Sequence, residues 1–400
     1  MDYSYDMSRL DALVGRILSI QDITVGNPEK DFIVRYRGRL RGDDTEAAYD
    51  QLTGWLEPFN ITPLFRWDEK RHAVILVPGK PKPAPSNPIV NIVMFALTVV
   101  GVIFAGWANS ANTPLPANPL QAVGAVLREG WPFAVSLMAI LLTHEFGHYL
   151  MSRHHGVQAT LPYFIPFLPP FGTMGAVIMM KSVPKNRRQL LDIGLAGPLA
   201  GLVVAIPVLL IGLSLSTVDP IPAIIPSGMA FSLEGNSLLY LLAKFAMFGK
   251  LLPAPASYGD LSPFLYWLRF FFTGKPYPLG GVDVMLNPVA YAGWAGLLVT
   301  ALNLIPAGQL DGGHAVYVLI GRRGAARLLP FLLIGGIVLA LFWPGWWLWV
   351  ALIFFLGRAF DDPLDQITPL DNRRRALAIL GIIIFFLVFI PVPMTVVTGG

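Results

Sequence analysis

The sequence predicts a polytopic α-helical membrane protein of about seven transmembrane helices, with a membrane-associated hairpin and a small N-terminal α+β soluble domain. Three observations carry this reading. Hydrophobic residues make up 54% and charged residues 14% of 400 positions, and the mean hydropathy is +0.58, far from the balance of a soluble protein. Apolar runs recur at about the 20-residue length that crosses a ~30 Å hydrocarbon core. Residues 1–86 break that pattern and hold much of the charge. The division is therefore 1–86, a cytoplasmic α+β domain with a Pro-rich linker, and 87–400, the transmembrane domain.

In the first part, Asp31 to Arg39 reads as a strand, Asp43 to Leu56 as an amphipathic helix, and Leu64–Trp67 and Ala73–Val77 as two further strands. Asp6, Arg9 and Asp11 read as a solvated face. The N-terminus carries no apolar core of signal-peptide type, so this domain is expected to stay on the side of synthesis. Pro81, Pro83, Pro85 and Pro88 predict a stiff extended linker into the membrane.

Apolar runs of spanning length occur at about 89–108, 132–152, 190–216, 287–307, 327–344 and 376–396, and a shorter aromatic-rich run at 346–356 completes the seven. Short-loop basic residues test this count. Arg153, then Lys181, Lys185, Arg187 and Arg188, then Arg322, Arg323 and Arg327, then Arg358 with Arg373 to Arg375 all fall on the cytoplasmic side if seven spans follow a cytoplasmic N-terminal domain. Residues 156–182 are apolar but broken by Pro162, Pro166, Pro169, Pro170, Gly172 and Gly175, which excludes a regular helix and leaves strands over 172–180. In the long loop 217–286, Leu238–Phe248 and Phe264–Phe272 read as helices at the outer interface. The net charge of +4 lies in short clusters, so nucleic-acid binding has no support, and the absence of cysteine excludes disulfides and thiolate metal sites.

Chemistry enters at Leu141-Leu-Thr-His-Glu-Phe-Gly-His-Tyr-Leu150. On a helix His144 and His148 stand at i and i+4 and project from one face, the spacing that grips one metal ion, with Glu145 beside them to work on water. The alternative is a pair of core histidines with a partnered glutamate, but burial here means hydrocarbon, where ionisable groups are functional candidates. A zinc hydrolase needs a third protein ligand and an open fourth position. Glu234 sits in a polar loop segment, unlike a helix-borne ligand. His154 has the offset of a third metzincin histidine, yet Met151 replaces the glycine that pattern requires. Asp311, in Asn303-Leu-Ile-Pro-Ala-Gly-Gln-Leu-Asp-Gly-Gly-His314, follows Pro306 and Gly308, and broken backbone at membrane depth is tolerated only against protein or a wet cavity.

Together the His144-Glu145-Phe-Gly-His148 and Asn303-Leu-Ile-Pro-Ala-Gly-Gln-Leu-Asp311-Gly motifs resemble the site-2 proteases, membrane-embedded zinc metalloproteases that cut other proteins' transmembrane segments. Pro162-Tyr-Phe-Ile-Pro166, Gly172-Thr-Met-Gly-Ala176 and Ala196-Gly-Pro-Leu-Ala-Gly201 resemble its cyanobacterial and chloroplast branch, over residues 89–396, without a PDZ domain. The resemblance implies His144, His148 and Asp311 as ligands of one Zn2+ per chain, Glu145 as catalytic base, and Asn303 near the transition state. It also implies a membrane-entering hairpin whose Gly172, Thr173 and Gly175 lie near the substrate. The implied partners are the lipid bilayer and a membrane-embedded protein substrate, for example an anti-sigma factor or another single-span regulator. The implied setting is a bacterial inner (plasma) membrane with the active-site side cytoplasmic. Competing readings are a divalent-metal transporter, a catalytically inactive scaffold, and a CAAX-type metalloprotease that would need Glu234 as ligand.

Overall fold

A computed structural model of the chain describes residues 5–26, 32–79, 87–110, 115–167 and 170–399. Asp31 and the Pro81, Pro83 and Pro85 part of the linker lie outside the described residues, as does Pro169.

The first elements are α1 (Met7–Ile17), β1 (Leu18–Val25), β2 (Val34–Leu40), α2 (Thr45–Leu56), β3 (Ile61–Asp68) and β4 (Arg71–Pro78). The strands form an antiparallel sheet in the order β1-β2-β4-β3. The expected strand, helix and two strands are present, but α1 and β1 are additional. Leu10, Val14 and Ile17 recur at helical spacing and are buried against Tyr36, Leu52 and Leu56. Asp6 and Arg9 are exposed, as a solvated face requires, while Asp11 is half-buried; Asp6 caps α1 by accepting from the Arg9 N–H, and Asp11 accepts the Tyr36 hydroxyl at 2.7 Å.

The remaining chain holds α3 (Pro88–Ser110), α4 (Pro119–His154), β5 (Tyr163–Pro166), β6 (Thr173–Val177), α5 (Arg187–Ser214), β7 (Thr217–Pro220), β8 (Ala230–Glu234) and α6 (Leu238–Phe248). After these come α7 (Pro263–Thr273), β9 (Val282–Met285), α8 (Pro288–Asn303), α9 (Asp311–Ala340), α10 (Trp346–Leu356), α11 (Asn372–Val388) and β10 (Met394–Thr398). Among the described residues four helices, α3, α4, α5 and α9, are long and apolar enough to cross a membrane. The expected runs shift at several ends. α4 begins at Pro119 rather than 132, because the Asn118 side chain caps it and proline suits the first helical position. The run at 376–396 is helical only to Val388; Pro391 and Pro393 bar continuation, and the chain turns into β10. The run at 327–344 belongs to α9, which starts at Asp311 and bends at Gly321, where φ 72° and ψ 171° are open to glycine but costly for other residues.

The packed centre is α4, α5 and α8 around Trp294, Leu297 and Leu209. Small residues let these helices touch: a Cβ on Gly212 would lie 2.0 Å from the Ala290 nitrogen, and one on Gly293 2.6 Å from the Leu209 Cα. β5 and β6 pair as the expected hairpin, which an Ala159–Met180 bridge extends, and the outer edge of β6 has no strand partner among the described residues. At the other end of the helices lie two two-stranded sheets, β7–β9 and β8–β10.

The N-terminal sheet docks on the loops beneath the helices. The Phe65 N–H donates to the Leu364 carbonyl at 2.9 Å, and Gln366 N–H returns a bond to Phe65 at 3.0 Å. Asp365 N–H donates to the Lys185 carbonyl at 2.7 Å, and Lys185 and Arg188 pair with Asp50 and Glu46 of α2 at 2.7 and 2.8 Å. The basic clusters at the starts of α5 and α11 thus gather on the face that carries the N-terminal sheet, with Arg374 gripping Asp192 at 2.6 Å.

Candidate active site

α4 sets His144 and His148 one turn apart, with ring centroids 5.0 Å apart. The bed for both rings is the Ala196-Gly-Pro-Leu-Ala-Gly201 stretch of α5. A Cβ at Gly197 would lie 2.0 Å from His148 Nε2, so no side chain fits under that imidazole, and one at Gly201 would lie 3.2 Å from His144 Nδ1, a tight contact. Gly147 brings the two helices together, since its Cβ would stand 2.6 Å from the Ala196 carbonyl. The third side chain arrives from the break between α8 and α9. Pro306 and Gly308 turn the chain, and a Cβ on Gly312 or Gly313 would meet the Leu304 or Gly308 carbonyl at 1.9 or 2.3 Å. The glycine pair therefore allows α9 to start directly against the break, with Asp311 as its first residue.

The result is a compact triad. His144 Nε2 and His148 Nε2 are 3.3 Å apart, and Asp311 Oδ2 is 3.5 and 3.3 Å from them. Ligands at the ~2.0–2.2 Å bond lengths of a tetrahedral zinc centre stand about 3.3–3.5 Å from one another. The described residues hold no other cluster of three His, Cys, Asp or Glu groups so arranged. His148 Nδ1–H donates to the Ile193 carbonyl at 2.7 Å, which leaves the Nε2 lone pair turned toward the triad. These residues fit a zinc ion. Asn303 Nδ2 lies 3.2 Å from His144 Nε2, on the rim of the same space.

A cavity of about 530 Å³ opens onto the triad, and Glu145, 4% exposed, is one of its walls. The stretch 176–180 of the hairpin forms another wall. His144, Glu145, His148, Asn303 and Asp311 are thus brought together. Gly172, Thr173 and Gly175 are not walls of this cavity. Gly172, at φ +77°, lies against α3 where a Cβ would meet the Gly101 carbonyl at 2.2 Å, and the Thr173 hydroxyl donates to the Ile165 carbonyl at 2.9 Å and accepts from Gly175 N–H at 3.0 Å. α4 stays helical through His154, so that histidine does not turn back to the triad, and His155 pairs with Asp192 at 3.0 Å. Glu234 lies in β8 and accepts the Tyr240 hydroxyl at 2.8 Å.

Two contributors went unassigned in the sequence. His314, one turn after Asp311 and 7% exposed, lines the cavity and faces Asp361 at 3.8 Å; its i+3 spacing from Asp311 was the available signal. Asp361 also accepts from the Gln309 amide at 3.1 Å, tying the broken backbone to the segment that docks the N-terminal sheet.

The profile of peptidase family M50 matches residues 132–342, more than half of the chain and all three triad residues. The probable zinc metalloprotease EGY2, chloroplastic, of Oryza sativa subsp. indica is 28% identical over 371 residues, 90% of this chain and 62% of its own length. Its Arabidopsis thaliana counterpart is 28% identical over 396 residues, 96% of this chain and 65% of its own. The probable zinc metalloprotease EGY1, chloroplastic, of Arabidopsis thaliana is 27% identical over 322 residues, 76% and 53% of the two chains. The chain thus spans between half and two thirds of the length of these relatives. No solved structure matches it. With the two motifs folded into one triad and the family profile covering them both, the chain belongs to peptidase family M50, the site-2 protease family.

Proposed function

We propose that the protein is an intramembrane zinc endopeptidase that hydrolyses peptide bonds within or near the transmembrane segments of other membrane proteins. The observation that carries this is the convergence of His144, His148 and Asp311 at tetrahedral spacing beside buried Glu145. When bound, zinc supplies Lewis acidity and lowers the pKa of water toward ~7. His144, His148 and Asp311 are the residues that hold it. Glu145 takes the proton of the attacking water and returns it to the leaving amine. The Asn303 amide donates to the oxygen on which charge develops. A helical peptide bond is internally hydrogen-bonded, so the substrate must unwind first, and the edge of β6 that has no strand partner among the described residues offers main-chain bonds to the extended strand. Gly172 serves this step by seating the hairpin against α3, and Thr173 and Gly175 by the hydrogen bonds that close its bend.

The proposed topology has seven spans: α3, α4, α5, α8, the part of α9 after Gly321, α10 and α11. It is supported by the contacts of Lys185 and Arg188 with α2 and by the Arg322–Asp362 pair next to the Arg66 bonds to Pro363 and Leu364 at 2.9 and 2.7 Å. The N-terminal module, 1–86, and the site-bearing part, 87–400, then share a cytoplasmic face of a bacterial plasma membrane. His148 lies about 7 Å along α4 from Arg153, which puts the triad in the cytoplasmic half of the bilayer. The proposed substrates are anti-sigma factors or other single-span regulators. Metal analysis of the purified chain tests the chemistry: Glu145→Gln keeps one zinc per chain and loses cleavage of a single-span reporter, whereas Asp311→Ala loses both. Full zinc occupancy in Asp311→Ala, or cleavage by Glu145→Gln above about a per cent of wild type, overturns the assignment.

A further inference from the structure

A second cavity, of about 630 Å³, lies at the far ends of the helices from the triad. Its walls include β8, residues 283–286 in and just after β9, the end of α3 and Tyr291 of α8. Two carboxylates stand in these walls, Asp283 at 3% and Glu234 at 11% side-chain exposure. One cation is near them. Lys244, fully buried, has its Nζ 3.9 Å from Glu234 and 3.8 Å from Asp283, too far for a hydrogen bond, and that nitrogen has no hydrogen-bond partner among the described residues. Two acids stand against one lysine, so ionising both leaves a buried negative charge without a full partner, a cost that a buried carboxyl relieves by holding its proton. Burial, with Asp283 close by, pushes the Glu234 carboxyl up to about 7, the direction that a further cation at the cavity wall would reverse.

The backbone around these acids is also short of partners. β8 pairs only with β10 among the described residues, and β9 pairs with β7 plus a single bridge from Ala254 to Val282. Consecutive residues of both strands wall the cavity, beside the two carboxylates. The path from the metal triad leads there. The hairpin walls the first cavity at 176–180, and its bend reaches the second, with Phe171 6.1 Å from Tyr291 and Asn109 donating to the Pro170 carbonyl at 2.7 Å. α8 joins the two sites, Asn303 at one and Tyr291 at the other, about 18 Å apart at 1.5 Å rise per residue.

We infer that the second cavity is a recognition site for a lysine or arginine side chain on the extended flank of the same membrane-embedded segment that reaches the triad. This rests on the protease reading for the identity of the ligand. An extended chain rises ~3.3 Å per residue, so the basic residue sits about six residues from the scissile bond on its far side, against about twelve if the segment stayed helical.

The test uses the full chain with Glu145→Gln, so that bound reporter stays intact, and a set of single-span peptides in which one lysine is moved through the flank and replaced by methionine. Affinity is expected to peak with the lysine at about six residues from the bond that wild type cuts and to fall at least about tenfold with methionine there. The preference is expected to vanish when Glu234→Gln and Asp283→Asn are added, with zinc content at the other end of the molecule reporting that the fold is kept. Equal affinity for lysine and methionine at every position overturns the inference and needs no change in the cluster, so a variant that fails to fold cannot hide it. A lysine preference that survives loss of both acids overturns it as well. A reporter that binds with this preference but is never cut by wild type leaves the recognition site standing and removes the protease reading. Cutting that ignores the flank does the reverse.

Discussion

Replacing Gly197 by alanine adds one methyl group to the helix beneath His148, and the consequence can be worked from the coordinates. The new Cβ would lie 2.0, 2.3 and 2.6 Å from the Nε2, Cδ2 and Cε1 atoms of the ring, where ordinary contact begins at 3.4 Å. Nε2 must therefore retreat by about 1.4 Å, several times the ~0.2 Å tolerance of a metal–ligand bond. The ring cannot swing freely, because Nδ1 is held by the Ile193 carbonyl and the helices are in backbone contact at Gly147. Disturbing a partner of a ligand costs about 10–100-fold in metal affinity, and displacing the ligand itself costs more, so a loss beyond ~100-fold is expected. The assay is zinc content after dialysis against graded chelator, with Gly335→Ala as control, since a Cβ there meets nothing within 4 Å. Wild-type zinc retention in Gly197→Ala would refute the placement of His148 over α5.

Asn303→Ala should keep zinc and lower turnover by about 10²–10³-fold, as expected for loss of a donor to developing charge; measured zinc loss would instead assign Asn303 to holding the helix break. Asp365→Ala should lower stability by about 1–3 kcal/mol, because this fully buried carboxylate accepts from the Ile367 and Thr368 N–H groups at 2.8 and 3.2 Å. Thermal unfolding reads the loss, and faster limited proteolysis of the N-terminal sheet should accompany it. The chain has no cysteine, so single cysteines can be placed without removing others. Labelling of intact vesicles should report positions 181 and 358 on one side and 258 on the other; labelling of 181 and 258 together from one side would break the seven-span proposal.

The candidate site was legible as a cluster because its residue pattern is written locally. The His144–His148 pair follows from helical periodicity alone, and Pro306, Gly308 and the Gly312–Gly313 pair announce a break that a membrane tolerates only with a purpose. What periodicity cannot carry is who lies opposite. Gly197 and Gly201 belong to a motif whose meaning, a smooth bed for two imidazoles, exists only once α5 lies across α4. α1 was hidden because its short apolar stripe, Leu10, Val14 and Ile17, sits among charges that serve as a cap and as the hydrogen-bond partner of buried Tyr36. β8 and β10 pair across 160 to 168 residues of sequence separation, from Glu234–Met394 to Ala230–Thr398, and nothing local marks either as half of a sheet. The same holds for the docking of β3 on 364–366.

The most direct test of the account is the bond that is cut. The full chain, purified with one zinc and placed in vesicles with a single-span reporter, should release a soluble fragment from the side of the N-terminal module, with mass spectrometry placing the cut in that half of the transmembrane segment. A zinc-loaded protein that leaves unwound single-span reporters intact, or that cuts them in the opposite half, would contradict it.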